Sequence, residues 1–411
     1  MKFKLSKQEK SINGTIQLVA SKSESNRALI IKALCKDDFA IQNLSKAEDT
    51  ITLQKLLQSN SHELDVGAAG TTMRFLTAYL ACQEGEWILK GSDRMHKRPI
   101  NILVDALKQL GANIEYLEND GFPPLMIQGK NLAGSAIDIR GDVSSQFISA
   151  LLMIAPTLKG GLNLTLKGKI LSKPYIELTL KLMNYFGIEY QMIDHEISIS
   201  NQKYVAQDYT VENDWSAASY WYQLACFADT AEIIIPNLFK ESLQGDSVIS
   251  EIMKSFGIET TFLNDGIKII KKGNPVYSDN NPFVFDFSDN PDLAQTLIVT
   301  CAGLKISFKI NGLDNLSIKE TDRIKALQTE LGKINIILNR SDNYFSTTYN
   351  DIVNAKPVIF NTYEDHRMAM CLAPLALRYA NVSITDPEVV SKSYPNYWEE
   401  LRSVGFNIEE V

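Results

Sequence analysis

The chain has little cysteine and almost no histidine, five and four residues in 411. Cys35, Cys82, Cys226, Cys301 and Cys371 are scattered, with no CxxC pair and no Cys/His spacing that fits a metal. Each sits in or beside an apolar run, so buried thiols in a reducing compartment are expected rather than disulfides. Neither a Gly-x-Ser-x-Gly elbow nor an HExxH occurs, which removes the commonest hydrolase and zinc readings. The longest apolar run, Phe147 to Leu158, contains Pro156 and is too short to span a bilayer. Met1 to Gly14 is polar and lacks the apolar centre of a signal peptide. A net charge of −8 argues against nucleic acid as the main partner, so any anion site must come from local basic clusters. These absences predict a cytoplasmic, metal-free protein without a cofactor, away from membranes, and its length predicts two domains.

What is present is repetition. Six times a short alternating strand leads into a polar loop and then a strongly apolar helix. The strands are Thr15–Leu18, Leu64–Val66, Ile137–Ile139, Tyr209–Val211, Phe285–Phe287 and Val358–Phe360. The loops that follow them carry Ser21-Lys22-Ser23-Glu24-Ser25-Asn26-Arg27, Gly70-Thr71-Thr72-Met73-Arg74, Ser144-Ser145-Gln146, Asp214-Trp215-Ser216, Asn290-Pro291-Asp292 and Glu364-Asp365-His366-Arg367. A second, more amphipathic helix follows each motif, and five of these are predicted to stop at glycine: Gly111, Gly187, Gly257, Gly332 and Gly405. The spacing, about 70 to 76 residues, is too long for a solenoid repeat and fits two βα elements plus extra strands. Six units suggest two pseudo-symmetric halves, with the boundary near Asn201 to Asn213. A polar loop opening a buried helix places backbone N–H groups and a positive helix end at every motif, which suits an anionic ligand.

The most charged stretch is Leu316-Ser317-Ile318-Lys319-Glu320-Thr321-Asp322-Arg323, ahead of the apolar run from Ile324. If the stretch is helical, Lys319 and Arg323 share a face, with Glu320 beside them as a proton donor among cations. Ser317-x-x-Glu320 also has the spacing of a capping box, in which Glu320 only closes a helix start. Both readings stand on the stretch alone. Elsewhere, Lys22 with Arg27, the Arg94-Met95-His96-Lys97-Arg98 run, the turn at Gly70, Ser172-Lys173-Pro174-Tyr175 and Lys392 each offer groups that could hold phosphate or carboxylate. Asp292 in a first helical turn complements the helix dipole or serves as a base.

Taken in order, Ser21-Lys22-Ser23-x-Ser25-Asn26-Arg27, Gly70-Thr71-x-Met73-Arg74, Ser144 to Phe147, Ser172 to Tyr175, Lys319 to Arg323 and Asp365 to Met370 resemble 5-enolpyruvylshikimate-3-phosphate synthases. The resemblance runs from about Gly14 to Trp398. It implies a two-domain inside-out α/β barrel of six βαβαββ-type units, with pseudo-threefold symmetry in each domain and ligands bound between domains that close on them. The implied domains are 21–212 and 1–20 with 213–411. The implied activity is transfer of the enolpyruvyl group of phosphoenolpyruvate to the 5-hydroxyl of shikimate 3-phosphate, in the pathway to chorismate and aromatic amino acids, by a monomer without metal. By position, shikimate 3-phosphate would be held by Lys22, Ser23, Arg27, Ser144, Ser145, Gln146, Ser172, Tyr175, Asp292, Asn315 and Lys319. Phosphoenolpyruvate would meet Lys22, Gly70, Arg94, Gln146, Arg323, Arg367 and Lys392. Glu320 is similar in position to the family's proton donor and Asp292 to its base, with Lys22 assisting. The chain departs from the family's usual residues at Val19-Ala20, Ala68 and Phe75. Two alternatives are a UDP-N-acetylglucosamine enolpyruvyl transferase, which uses a cysteine in a Gly-rich loop, and a catalytically silent anion-binding homologue.

Overall fold

The computed structural model describes residues 1–313, 316–317, 320–341, 344–350 and 357–411. The chain forms two compact units: Met1–Val19 with Glu212–Val411, and Ala20–Val211. Among the described residues there are five four-stranded sheets and one two-stranded sheet. All five follow one plan, a parallel pair followed by two antiparallel neighbours. In the 20–211 unit, Glu63–Asp65 runs parallel to Gly85–Lys90, which pairs antiparallel with Leu125–Gly129 and that with Asn113–Tyr116. Ser135–Arg140, Leu162–Lys167, Glu196–Ile199 and Gln191–Ile193 repeat it.

The strands form because their apolar residues alternate. In Leu162–Lys167 the three leucines Leu162, Leu164 and Leu166 are buried while Asn163 and Lys167 face solvent. The helices that follow the polar loops are apolar nearly all round, as central helices must be. Lys22–Leu34, Gly70–Ala81 and Ser145–Ile154 touch one another inside one unit, and in the other Ala294–Leu304 packs between Trp215–Phe227 and His366–Leu372. Sheets lie outside and helices inside, the reverse of the usual α/β layering. The second helix of a unit is amphipathic: Asn101–Gln109 buries Leu103, Val104, Ala106 and Leu107 and exposes Asp105 and Lys108. No helix of the described residues is long and apolar enough to cross a membrane.

Two local expectations are corrected. The first strand is Ser11–Thr15 rather than Thr15–Leu18, because it must pair in register with Thr230–Ile234 of the returning chain. Gly111, Gly187, Gly257 and Gly405 take the left-handed conformation of a helix stop, with φ of 97°, 82°, 80° and 89°. Gly332 does not: it is the last helical residue, the chain turns through Lys333 still right-handed, and Asn335 supplies the positive φ of 59°.

The strands beside the two crossings pair within their own units. Ser11–Thr15 pairs with Thr230–Pro236, whose own helix begins only after the chain returns at Glu212. Tyr209–Thr210, the last strand of the 20–211 unit, pairs with Ile41–Gln42 near its start. Lys2–Ser6 is likewise inserted between Val382–Thr385 and Asn407–Glu410, and Lys2 and Val411 hydrogen-bond each other's backbone at 3.3 and 2.9 Å. Leu5 on that strand is fully buried. Leu5→Ala is expected to cost about 3 kcal/mol, read as a lower midpoint of urea unfolding. An unchanged midpoint would mean that the inserted strand contributes nothing to that sheet's packing.

Candidate active site

In the 20–211 unit the polar loops meet around Arg27. This guanidinium is 1 % exposed and donates from Nε to Thr179 Oγ1 at 2.7 Å and from one NH to the Ser23 carbonyl at 2.7 Å. The other NH donates to Ser149 Oγ at 2.9 Å and to the Tyr175 carbonyl at 3.4 Å. Its carbon stands 5.4 Å from the Phe75 ring centre. Burial lowers its pKa to about 10, against the opposing influence of Tyr175 and Glu24. What Arg27 gives the site is position and charge: it ties the Ser23 turn to the Tyr175 turn. Beside it, Lys22 Nζ lies 3.7 Å from Asp49.

A second network surrounds Gly70. Arg74 donates to the Gly70 carbonyl at 2.9 Å and to Gln146 Oε1 at 2.8 Å, and Gln146 Nε2 donates to Thr71 Oγ1 at 3.0 Å. A Cβ placed on Gly70 would stand 2.6 Å from Arg98 and 2.8 Å from Arg74, so glycine lets two guanidinium groups close over the turn. Arg94 is exposed, at the entry of the 3-10 turn Met95–Lys97 with Met95 buried beneath it. A 3-10 turn rotates successive side chains by about 120°, so Arg98, four positions on, faces differently and is the cation that reaches Gly70. Ser144 and Ser172 sit at helix starts without forming side-chain caps, Ser172 with a left-handed φ of 55°. Ser145 and Gln146 open the first helix and Tyr175 lies in the first turn of the second.

In the other unit, carboxylates gather around Arg323, which is 2 % exposed. It donates from Nε to Asp365 at 2.7 Å and from one NH to Glu320 at 2.8 Å, and its other NH lies 3.5 Å from Asp292. Burial alone would lower its pKa, but the charges of Asp365, Glu320 and Asp292 outweigh burial and raise it. Arg367 forms an ion pair with the opposite oxygen of Asp292 at 2.9 Å and donates to the Asp292 carbonyl at 3.3 Å and to the Tyr220 hydroxyl at 3.5 Å. Asp365, fully buried, also caps the His366–Leu372 helix by accepting from the Arg367 N–H at 2.9 Å. Lys392 is half-buried at the end of the 3-10 helix Pro387–Lys392. Asn315 and Lys319 lie outside the described residues.

The capping-box reading of Glu320 is overturned. The helix starts only at Arg323, and its N-cap is Asp322, whose carboxylate accepts from the Lys325 N–H at 3.1 Å. The helical face expected to carry Lys319 with Arg323 involves a residue outside the described ones. Glu320 precedes the helix and turns back onto Arg323.

Cations and hydroxyls thus gather on one unit, and paired acids and guanidinium groups on the other. The model of the family EPSP synthase (3-phosphoshikimate 1-carboxyvinyltransferase) matches residues 6–59 and 52–401. A 3-phosphoshikimate 1-carboxyvinyltransferase of Bacteroides fragilis is 50% identical over 400 residues, covering 97% of both chains. The chain belongs to the EPSP synthase family. One from Shewanella pealeana is 37% identical over 424 aligned positions, covering 96% of this chain and 97% of that one. The EPSP synthase structure from Acinetobacter baumannii superposes with a TM-score of 0.80 over the full length of both chains at 20% identity, and so supports the two-domain α/β fold.

Reading this EPSP synthase family member by sequence missed Arg98, Arg74, Asp49 and Asp365 as parts of the two networks. Arg98 had a usable signal, since its Pro99 fixes the turn that aims it. Asp365 had none, because a helix-capping aspartate looks the same whether or not a buried arginine stands behind it. Asp365→Ala leaves Arg323 buried without its shortest ion pair and is expected to cost about 3 to 5 kcal/mol of stability at neutral pH. A loss below about 1 kcal/mol in urea unfolding, the range of a surface pair, would show that Arg323 does not depend on it.

Proposed function

We propose that this protein transfers the enolpyruvyl group of phosphoenolpyruvate to the 5-hydroxyl of shikimate 3-phosphate and releases phosphate, as a 3-phosphoshikimate 1-carboxyvinyltransferase (EC 2.5.1.19) serving chorismate and aromatic amino acid biosynthesis. The 50% identity to a curated enzyme of that activity, spread over 97% of both chains, carries the reading. The cysteines speak against the UDP-N-acetylglucosamine alternative: Cys35 and Cys82 end helices, and Cys226, Cys301 and Cys371 are buried within them. A silent homologue would not be expected to keep Asp292, Glu320 and five cations.

Addition joins the 5-hydroxyl oxygen to C2 of phosphoenolpyruvate while a proton goes to its methylene carbon. Elimination breaks the C2–O bond to phosphate while the new methyl group gives a proton back. In our reading Asp292 takes the hydroxyl proton, Glu320 delivers and retrieves the carbon-bound proton, and Lys22 assists at the hydroxyl. These groups titrate as a coupled set. Shikimate 3-phosphate meets Ser23, Ser144, Ser145, Gln146, Ser172 and Tyr175, with the charge of Lys22 and Arg27 behind them, together with Asp292, Asn315 and Lys319. Phosphoenolpyruvate meets Lys22, the Gly70 backbone, Arg94, Gln146, Arg323, Arg367 and Lys392. The domains are 21–212 and 1–20 with 213–411, supported by the two compact units. The enzyme works as a cytoplasmic monomer.

Phosphate release from phosphoenolpyruvate with shikimate 3-phosphate as sole acceptor tests the reaction, and no release by the intact protein would sink it. Glu320→Gln is expected to lower kcat by roughly 10²- to 10⁴-fold while shikimate 3-phosphate still binds. A lower melting temperature with normal turnover would leave Glu320 a purely structural partner of Arg323. Arg94→Ala should raise the KM for phosphoenolpyruvate by at least about 10-fold. An unchanged KM would remove Arg94 from the site.

A further inference from the structure

Behind the acid cluster lies one more carboxylate that the reaction as written does not use. Asp246, on the 3-10 helix Gly245–Val248, is 4 % exposed. Its hydrogen bonds come from neutral donors: Asn290 Nδ2 reaches Oδ1 at 3.1 Å and the Ser216 hydroxyl reaches Oδ2. Asn290 opens the turn that carries the proposed base. Its N–H donates to the Phe287 carbonyl and its carbonyl accepts from the Leu293 N–H, both at 3.1 Å, with Asp292 in between. Asp292 meanwhile is pinned between Arg367 at 2.9 Å and Arg323 at 3.5 Å. Two guanidinium groups make a carboxylate a weak base, because they favour its charged form.

We infer that Asp246 is a positioning residue of the transfer reaction: it fixes the Asn290–Leu293 turn and, by its buried negative charge, keeps Asp292 basic enough to accept the hydroxyl proton. The inference rests on Asp292 being the base. Burial first, then the charge of Asp292, raises Asp246 to about 6, against the pull of Ser216, Asn290 and Arg367. The two carboxylates therefore sense each other. The charged groups bearing on the pair, among the described residues, are Arg367 from the His366–Leu372 helix, Arg323 from the Arg323–Gly332 helix, and Glu320 and Asp365 held on Arg323. A carboxylate buried on neutral donors costs stability, so a residue kept only for folding would not be ionised there.

The test compares the pH dependence of kcat and the melting temperature for the whole enzyme, Asp246→Asn, Ser216→Ala and Asp292→Asn. Asp246→Asn keeps an oxygen for Asn290 and removes the charge. Its kcat plateau should fall about 10-fold as the base weakens, and its acidic limb should move toward lower pH by about one unit. Because the native carboxyl is raised, its ionised form costs stability above pH 6. Asp246→Asn should therefore melt at or above wild type at pH 8, with the difference fading as pH falls from 6 toward 4. Ser216→Ala, which makes Asp246 harder to ionise, should move the limb the other way, toward higher pH, because Asp246 then takes up its proton sooner as pH falls. The inference is overturned if the acidic limb stays where it is in both variants, or if Asp246→Asn melts well below wild type at pH 8 with the limb of Ser216→Ala unmoved. Asp292→Asn separates the two levels. Retained turnover there removes the base reading and this inference with it, whereas lost turnover with an unmoved Asp246→Asn limb removes this inference alone.

Discussion

The buried guanidinium of Arg323 is the fixed point of the unit that carries the acids. One cation gathers Asp365, Glu320 and Asp292 from three stretches of chain, and without it three carboxylates would be crowded together at the cost of mutual repulsion. The same contacts set geometry. Asp365 caps one central helix, Asp292 sits in the turn leading into another, and Arg323 is the first residue of a third helix. A network of this kind is expensive as a source of stability, and its use is in holding ionisable groups at fixed separations where their proton affinities can be set by neighbours.

The 20–211 unit solves a different problem with different chemistry. Around Arg27 and Gly70 it assembles hydroxyls, an amide and guanidinium groups, while Asp49 is the acid paired with Lys22. Arg27 is wholly buried, hydrogen-bonded to neutral oxygens and facing an aromatic ring, with the charge of Glu24 near it. Such a surface favours an anion. The other unit adds a cluster of carboxylates that can take up protons. That asymmetry fits a reaction in which phosphates and a carboxylate must be held still while protons move at one end.

Much of this was legible in the chain because it rests on short-range rules. Alternation in Leu162–Lys167 fixes a strand and its buried face, and the nearly unbroken apolar character of Trp215–Phe227 marks a central helix. Polar residues at helix starts are visible for the same reason. What escaped depends on partners distant in sequence. The strand Ser11–Thr15 is placed by Thr230–Ile234, more than two hundred residues on, and nothing local distinguishes it from the residues that follow. Asp322 rather than Ser317 caps its helix because Glu320 is drawn back to Arg323, a tertiary contact that defeats the spacing rule. Arg98 and Arg94 are equivalent in composition and differ only by rotation around one short turn. Asp246 belongs to no polar loop motif, and its meaning appears only when Asn290 and Asp292 are beside it.

The pairing of early strands with late ones also has a consequence in time. During synthesis the 20–211 unit has all of its strands once Tyr209–Thr210 is made, so it can fold while the ribosome is still working. Lys2–Ser6 is made long before it can be paired, because its neighbours are Val382–Thr385 and Asn407–Glu410. At about 5 to 20 residues per second, the apolar segment around Phe3 and Leu5 waits on the order of tens of seconds without its sheet. For that interval this segment is an unpaired strand, open to pairing with other chains.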